Sequence, residues 1–209
     1  MLLASDVRFR IETFIKENYF EKSSNQYILQ ETQVTNGTLP TSLEVNVSGD
    51  NLCLKNYDKK GRSLFLLDKK GMNLTKCVDH VILQYIDKIW IMHLLEFKNR
   101  VDNAKWRGIR EKNLASYLNV KALSAVLGIE ISKVKTYTIY RKDEFRNHSN
   151  KTNPRMMVAP LGRRYIDPVE EWQSGKMFVQ LIKDDKTWWP HKALQVHDDQ
   201  GVLKGCLTI

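Results

Sequence analysis

Three charged residues near the middle of the chain have the types and spacing expected of a metal-binding site. Asp79 lies at the start of one apolar segment, and Glu96 and Lys98 lie at the end of the next. Residues two apart on a strand point to the same face, so Glu96 and Lys98 should project together. If the chain turns back near Asp87, Asp79 will lie almost opposite Glu96.

A divalent cation would stabilise two carboxylates held so close together. Neighbouring, partly buried carboxylates repel and raise each other's pKa. Mg²⁺ usually takes one or two carboxylates together with water and phosphate oxygens. A metal of this kind polarises a phosphate group and helps to form hydroxide from bound water. Lys98 could then orient the water or neutralise developing charge, so Mg²⁺ or Mn²⁺ is the expected cofactor.

A structural ion pair at two strand ends is the alternative explanation of the same three residues. The tripeptide pattern alone is not specific, since Asp58, Asp68 and Asp184 also precede a lysine by two positions. Only Glu96 ends a strongly hydrophobic segment, follows a segment that begins with an acid, and precedes a basic helical pattern. This context favours the metal site.

The hydrophobic pattern predicts the elements that must position these residues. Two apolar runs, 78–84 and 89–97, predict strands joined by a tight turn at 85–88. The second run is apolar on both faces, as in a central strand covered by helices. A helical pattern follows over 103–127, predicted as two helices broken near Asn119, and then a strand over 134–140.

Shorter elements are predicted on either side of this core. They are an amphipathic helix from Ser5 to Tyr19, an irregular stretch over 27–40, a hairpin of 43–47 with 52–56, a strand at 64–67, a charged loop over 143–154, a helix at 168–173, a strand at 177–182 and a hairpin over 194–207. This order predicts an α/β fold with a mixed central sheet flanked by helices. Residues 1–165 are predicted to form the main domain, with 166–209 as a small helix-plus-β extension packed on it.

The basic excess of the chain lies directly after Glu96. The net charge is +9, but residues 98–165 alone carry 16 basic and 5 acidic side chains, a balance of +11. A phosphate-binding surface and a solvated helix face explain this charge equally well. In the first explanation, Lys105, Arg107, Arg110 and Lys112 contact phosphates beside the site.

Several other classes of protein are disfavoured. The three cysteines are far apart, as expected of reduced thiols in a cytoplasmic protein and not of a zinc site. The first four residues lack a basic leader, and Asp87 and Lys88 interrupt the most apolar stretch, so neither export nor a membrane span is expected. His93 should lie on the opposite strand face from Glu96, as a core histidine.

Asp79 and the Glu96-x-Lys98 motif, on an antiparallel pair followed by a helix and a strand, resemble the PD-(D/E)xK nuclease superfamily. That superfamily includes restriction endonuclease-like and Holliday-junction-resolvase-like folds, and the resemblance covers about residues 70–142. It implies that Asp79 and Glu96 bind the metal, with the carbonyl of Phe97 as a third ligand. It also implies that Lys98 is the catalytic lysine.

Two further features of that superfamily have partial equivalents here. Some members carry a Gln-x-x-x-Tyr pair on the following helix, where this chain has Asn113 and Tyr117. Members often carry an acid on the first helix, for which Glu12 is the candidate. These three residues are therefore accessory candidates.

The resulting hypothesis is a metal-dependent nuclease acting on DNA, for which a homodimer would allow both strands to be cut. One alternative is a catalytically silent member of the same fold that binds nucleic acid or a protein partner. Another is a protein-interaction module, of a phage or mobile element, in which the acids are structural. Steep salt dependence of DNA binding would argue against the last, because phosphate contacts release counterions.

Overall fold

The computed structural model describes residues 5–16, 19–21, 23–31, 39–59, 75–145, 167–182 and 185–209. Within these residues the chain forms three α-helices and ten β-strands. The helices are α1 (Ser5–Phe14), α2 (Asn103–Leu127) and α3 (Pro168–Gln173). The strands are β1 (Gln26–Glu31), β2 (Thr41–Asn46), β3 (Asp50–Leu54), β4 (His80–Ile86), β5 (Ile89–Val101), β6 (Ile131–Asp143), β7 (Lys176–Ile182), β8 (Asp185–Gln195), β9 (His197–Asp199) and β10 (Val202–Thr208).

A six-stranded mixed sheet in the order β3-β4-β5-β6-β8-β7 forms the centre of the molecule. Strand β5 pairs antiparallel with β4 and parallel with β6, and α2 makes the crossover between β5 and β6. A parallel pair needs such a crossover, because its strands cannot be joined by a tight turn. The predicted α/β class with a mixed central sheet is confirmed.

A two-residue turn sets the register of β4 against β5. Ile86 pairs with Ile89, and the intervening Asp87 and Lys88 both have positive φ angles, 51° and 64°. Two such residues form the type of turn that matches the right-handed twist of paired strands. The tight turn predicted near Asp87 is therefore found, and β5 continues past residue 97 to Val101.

Helix α2 is one continuous helix of 25 residues, so the predicted break near Asn119 is wrong. Asn119 is buried, and its Nδ2 atom donates to the carbonyl of Ala115 at 2.9 Å, so this side chain bonds within the helix and does not interrupt it. Asp102 caps the start of the helix by accepting from the amide of Lys105 at 2.8 Å. Gly128, at φ 70°, ends it, in agreement with the helical pattern predicted up to residue 127.

Helices cover one face of the central sheet, and a second sheet covers the other. The helix-facing core joins side chains of α1, α2 and α3 to Leu83, Met92 and Leu94 of the sheet. On the opposite face, Leu95 and Phe97 pack against a four-stranded sheet in the order β1-β2-β10-β9. The prediction of helices alone around the sheet is corrected accordingly, since the second mixed sheet was not foreseen.

The predicted hairpin of 43–47 with 52–56 is wrong, because its two strands belong to different sheets. Strand β2 pairs with β1 and β10, whereas β3 pairs with β4. Gly49 lies between them at φ 74°, where a Cβ atom would come within 2.5 Å of the carbonyl oxygen of Tyr85. The chain therefore passes from one sheet to the other at a position that only glycine fits.

Strand β1 corrects the prediction of an irregular stretch for residues 27–31, whereas residues 32–38 of the predicted stretch 27–40 fall outside the described residues. Its alternating burial places Tyr27 and Leu29 in the core between the sheets. The alternation is not visible in the sequence, because the outward-facing position between these two residues is held by the apolar Ile28.

The C-terminal residues complete both sheets. Helix α3 and strand β7 match the predicted helix and strand at 168–173 and 177–182, and β8 joins the central sheet beside β6. The predicted C-terminal turn lies between β9 and β10, and β10 then pairs parallel with β2. The predicted strand at 64–67 and most of the charged loop, residues 146–154, fall outside the described residues. Among the helices described, none is long and apolar enough to cross a bilayer.

Candidate functional site

Two buried carboxylates meet where β4 begins and β5 approaches its end. His80 pairs with Leu95, so the same register places Asp79 opposite Glu96. The amide of Phe97 donates to Asp79 Oδ2 at 2.6 Å, which fixes the Asp79 side chain beside β5. Glu96 is 0% exposed, and Asp79 is buried as well. The strand register alone therefore brings the two acids together.

Two ammonium groups neutralise this pair, one from β5 and one from α2. Lys98 Nζ donates to Glu96 Oε1 and, at 2.9 Å, to the carbonyl of Phe97. Lys112 Nζ donates to the same Glu96 oxygen at 2.7 Å and lies 3.6 Å from Asp79 Oδ1. Both lysines are partly exposed, so the site opens to solvent on their side.

The place of Lys112 in this cluster was not predicted from the sequence, which indicated this residue only as a phosphate contact. The signal for it lies in the helical spacing. Lys112 is three residues after the buried Ile109 and four before the buried Ser116, on the sheet-facing side of α2. Ser116 Oγ accepts from the amide of Val78 at 2.8 Å, directly before Asp79.

The second oxygen of Glu96 is buried, and no group among the described residues donates a hydrogen bond to it. Burial raises the pKa of Glu96 to about 7, and the Asp79 carboxylate adds to the increase, while Lys98 and Lys112 oppose it. Burial alone would lower the pKa of Lys112, but Glu96 and then Asp79 together raise it above its ordinary value. A buried acceptor without a donor is costly and marks a place where a cation would be stabilised.

The oxygen atoms gathered here fit a hard divalent cation. The atoms available as metal ligands are those of the Asp79 and Glu96 carboxylates and the carbonyl of Phe97, and all of them are oxygen. Mg²⁺ and Mn²⁺ favour oxygen ligands, and Mg²⁺ is often held by no more than two carboxylates. Among the described residues, no group of three or more His, Cys, Asp or Glu side chains is arranged to hold a metal.

The other basic residues predicted to contact phosphates are placed in different settings. Arg110 Nη1 lies 3.1 Å from Glu171 Oε2, a buried carboxylate of α3 that also accepts from Trp106 Nε1 at 2.9 Å. Arg107 is exposed and lies 3.5 Å from Glu111. Burial lowers the pKa of Lys105, and Arg100 adds to the effect. Arg110 is thus engaged within the fold, whereas Arg107 is directed to solvent.

The three accessory candidates make their described contacts away from the carboxylates. Glu12 pairs with Arg8 at 2.9 Å on the exposed side of α1. Asn113 is buried and donates to the carbonyl of Ile109 at 2.9 Å within α2. The Tyr117 ring packs against Trp189 with centroids 4.9 Å apart.

His93 is a buried histidine of the core between the sheets, on the opposite face from Glu96, as predicted. Its Nδ1 and Nε2 atoms lie 2.9 Å from Tyr137 Oη and 3.0 Å from Gln84 Oε1. Burial lowers the pKa of His93 to about 3, and Lys135 adds to the effect. His93 is therefore neutral near pH 7 and structural.

The raised pKa of Glu96 predicts a pH-dependent loss of stability that Glu96→Gln removes. The folded protein holds this proton up to about pH 7, whereas the unfolded chain releases it near the ordinary value of 4.5. The stabilisation is present below pH 4.5 and is lost as pH rises through 7, by on the order of 3 kcal/mol. Chemical denaturation of both proteins at pH 5 and pH 8 measures the difference. An equal change in unfolding free energy between pH 5 and pH 8 in the wild type and in Glu96→Gln would contradict this prediction.

Comparison of the chain with protein-family models, with curated proteins and with solved structures found no match.

Proposed function

We propose that this protein is a divalent-metal-dependent nuclease that hydrolyses phosphodiester bonds in DNA. The observation that carries the proposal is the buried pair of Asp79 and Glu96, with a Glu96 oxygen that lacks a donor among the described residues. A lysine two residues further along the same strand completes the set. Carboxylates, a cation and a lysine are the groups that polarise a phosphate and activate water.

Asp79, Glu96 and the carbonyl of Phe97 would hold Mg²⁺ or Mn²⁺. When bound, the metal supplies Lewis-acid polarisation of the phosphate and lowers the pKa of a bound water. Lys98 Nζ can donate a hydrogen bond to the attacking water or to a phosphate oxygen on the open side of the site. Lys112 balances the charge of the two carboxylates when no cation is bound.

Features around the site support the same proposal. The order of β4, β5, α2 and β6 agrees with the core expected of a restriction endonuclease-like fold. The excess of basic side chains begins at Lys98 and continues through α2 and β6, where it can follow a phosphate backbone. Lys105 and Arg107 are proposed phosphate contacts. A homodimer and a cytoplasmic location are part of the same proposal.

Cleavage assays test the proposal directly. Wild-type protein and Glu96→Gln are incubated with supercoiled plasmid, linear duplex, single-stranded DNA and RNA in Mg²⁺, Mn²⁺ or EDTA. We expect cutting of DNA by the wild type in a divalent metal, and none in EDTA or by Glu96→Gln. Failure to cut any substrate in either metal would contradict the enzymatic proposal.

A catalytically silent nucleic-acid-binding protein is the second candidate. Two ammonium groups already engage Glu96, which is the arrangement of a structural ion cluster. Tight binding of DNA that weakens steeply with salt, without cutting, would identify this function. If the protein neither cuts nucleic acid nor binds it in a salt-sensitive way, the protein-interaction module remains as the explanation.

A further inference from the structure

Strands β6 and β8 pair over only part of their lengths, and a groove opens where the pairing stops. Residues 136–140 pair with 191–195, so the same register would place Lys135 opposite Pro190. Proline has no amide hydrogen to continue the ladder, and the Pro190 carbonyl accepts from Thr136 Oγ1 at 3.1 Å. The groove that begins there, between 131–135 of β6 and 187–190 of β8, has a volume of about 330 Å³.

Aromatic rings and lysines line this groove, and none of its lining residues is acidic. Tyr117 of α2 packs on Trp189, and the ammonium of Lys121 lies over the Tyr117 ring, 5.4 Å from its centroid. Lys133 and Lys135 contribute from β6. The groove therefore combines flat apolar surface with positive charge, which suits a ligand that has rings and negative charge.

Trp188 offers the largest free aromatic surface at the groove. Trp188 is 46% exposed, although its ring centroid lies 5.3 Å from that of Phe178 on the neighbouring strand. Trp189 belongs to the helix-facing core, so the adjacent Trp188 points to the other face of the sheet. Lys133 and Lys135 point to that face too, because they lie four and two residues before Tyr137, which packs against the second sheet.

We propose that this groove binds single-stranded nucleic acid, with a base stacked on Trp188 and neighbouring phosphates on Lys133 and Lys135. Every base presents a flat π-face, so an exposed tryptophan beside lysines binds single strands without reading their sequence. An acidic peptide would match the lysines but would not need the stacking surface. The choice of nucleic acid rests on the proposed function, yet this binding does not require the carboxylate pair to be catalytic.

Binding of a short fluorescent oligothymidylate, measured by anisotropy in EDTA, tests the groove without any cutting. Trp188→Ala should weaken binding by about 5- to 150-fold, as expected for loss of one stacked base. Trp188→Phe should retain most of the affinity. Phe9→Ala, which removes an exposed aromatic ring of α1 elsewhere, should bind as the wild type does.

A second variant keeps the test decisive if Trp188→Ala does not fold. Lys133→Ala should reduce the slope of log affinity against log salt by roughly 0.7, the value for one phosphate of a single strand. Wild-type affinity in Trp188→Ala or an unchanged slope in Lys133→Ala would overturn the proposal. Equally effective displacement of the oligonucleotide by polyglutamate would also overturn it, in favour of an acidic peptide. Because EDTA is present throughout, absence of nuclease activity would not affect the outcome.

Discussion

Replacement of Lys98 by alanine is expected to lower the rate of DNA cleavage by about 10²- to 10³-fold, the cost of removing one preorganised electrostatic donor. The reason is the position of Lys98 Nζ, which contacts both Glu96 and the carbonyl of Phe97 on the open side of the carboxylate pair. Affinity for DNA should change little, since the remaining basic residues after the motif are retained. Single-turnover cleavage and anisotropy binding measure the two effects separately.

Lys76→Ala is the matched control for this variant. Lys76 precedes Asp79 by three residues and pairs with Glu111 at 3.3 Å, so its charge is engaged outside the carboxylate pair. We expect wild-type cleavage from it. A Lys98→Ala protein that cuts at the wild-type rate would show that Lys98 has only a structural role, and equal losses in both variants would point to a general effect of charge.

Arg110→Ala is expected to destabilise the fold by about 2–3 kcal/mol, whereas Arg107→Ala should change stability by less than about 0.5 kcal/mol. Loss of Arg110 leaves the buried Glu171 without its cation. The cost falls below the roughly 3–5 kcal/mol of a fully buried pair, because Arg110 is 25% exposed and Trp106 still donates to Glu171. Arg107 is 74% exposed. Urea denaturation of both variants measures the contrast.

Glu171→Gln combined with Arg110→Ala tests whether the uncompensated charge of Glu171 causes the loss of stability. Burial raises the pKa of Glu171, while Arg110 opposes the increase, so removal of the carboxylate charge should recover part of the lost stability. No recovery in the double variant would mean that Arg110 stabilises the fold by packing. Equal stability of Arg110→Ala and Arg107→Ala would contradict the structural role assigned to Arg110.

The central hairpin, the helix after it and the next strand could be predicted because their patterns are local. The turn at Asp87 and the hydrophobic runs on either side set the register of β4 and β5, and Gly128 marks the end of α2. The second sheet could not be predicted in this way. Strand β2 joins β10, more than 150 residues away in sequence (residue 43 with residue 205), and no local pattern reports such a pairing.

The same distinction applies to the candidate site. Opposition of Asp79 and Glu96 follows from one turn, so it could be inferred from spacing alone. The contact of Lys112 with Glu96 depends on how α2 packs on the sheet. The contact of Arg110 with Glu171 depends on the position of α3, because Glu171 lies 61 residues after Arg110. Tertiary packing decides which of several basic side chains of one helix reach a buried carboxylate, and composition does not.

Binding of Mn²⁺ by the carboxylate pair is the most direct test of the proposed metal centre. Calorimetric titration at pH 8, above the pKa of about 7 of Glu96, compares the wild type with Glu96→Gln. The proposed function predicts a Mn²⁺ site in the wild type that weakens as pH is lowered through 7 and is lost in Glu96→Gln. Equal binding by the two proteins, or none by the wild type at pH 8, would contradict it.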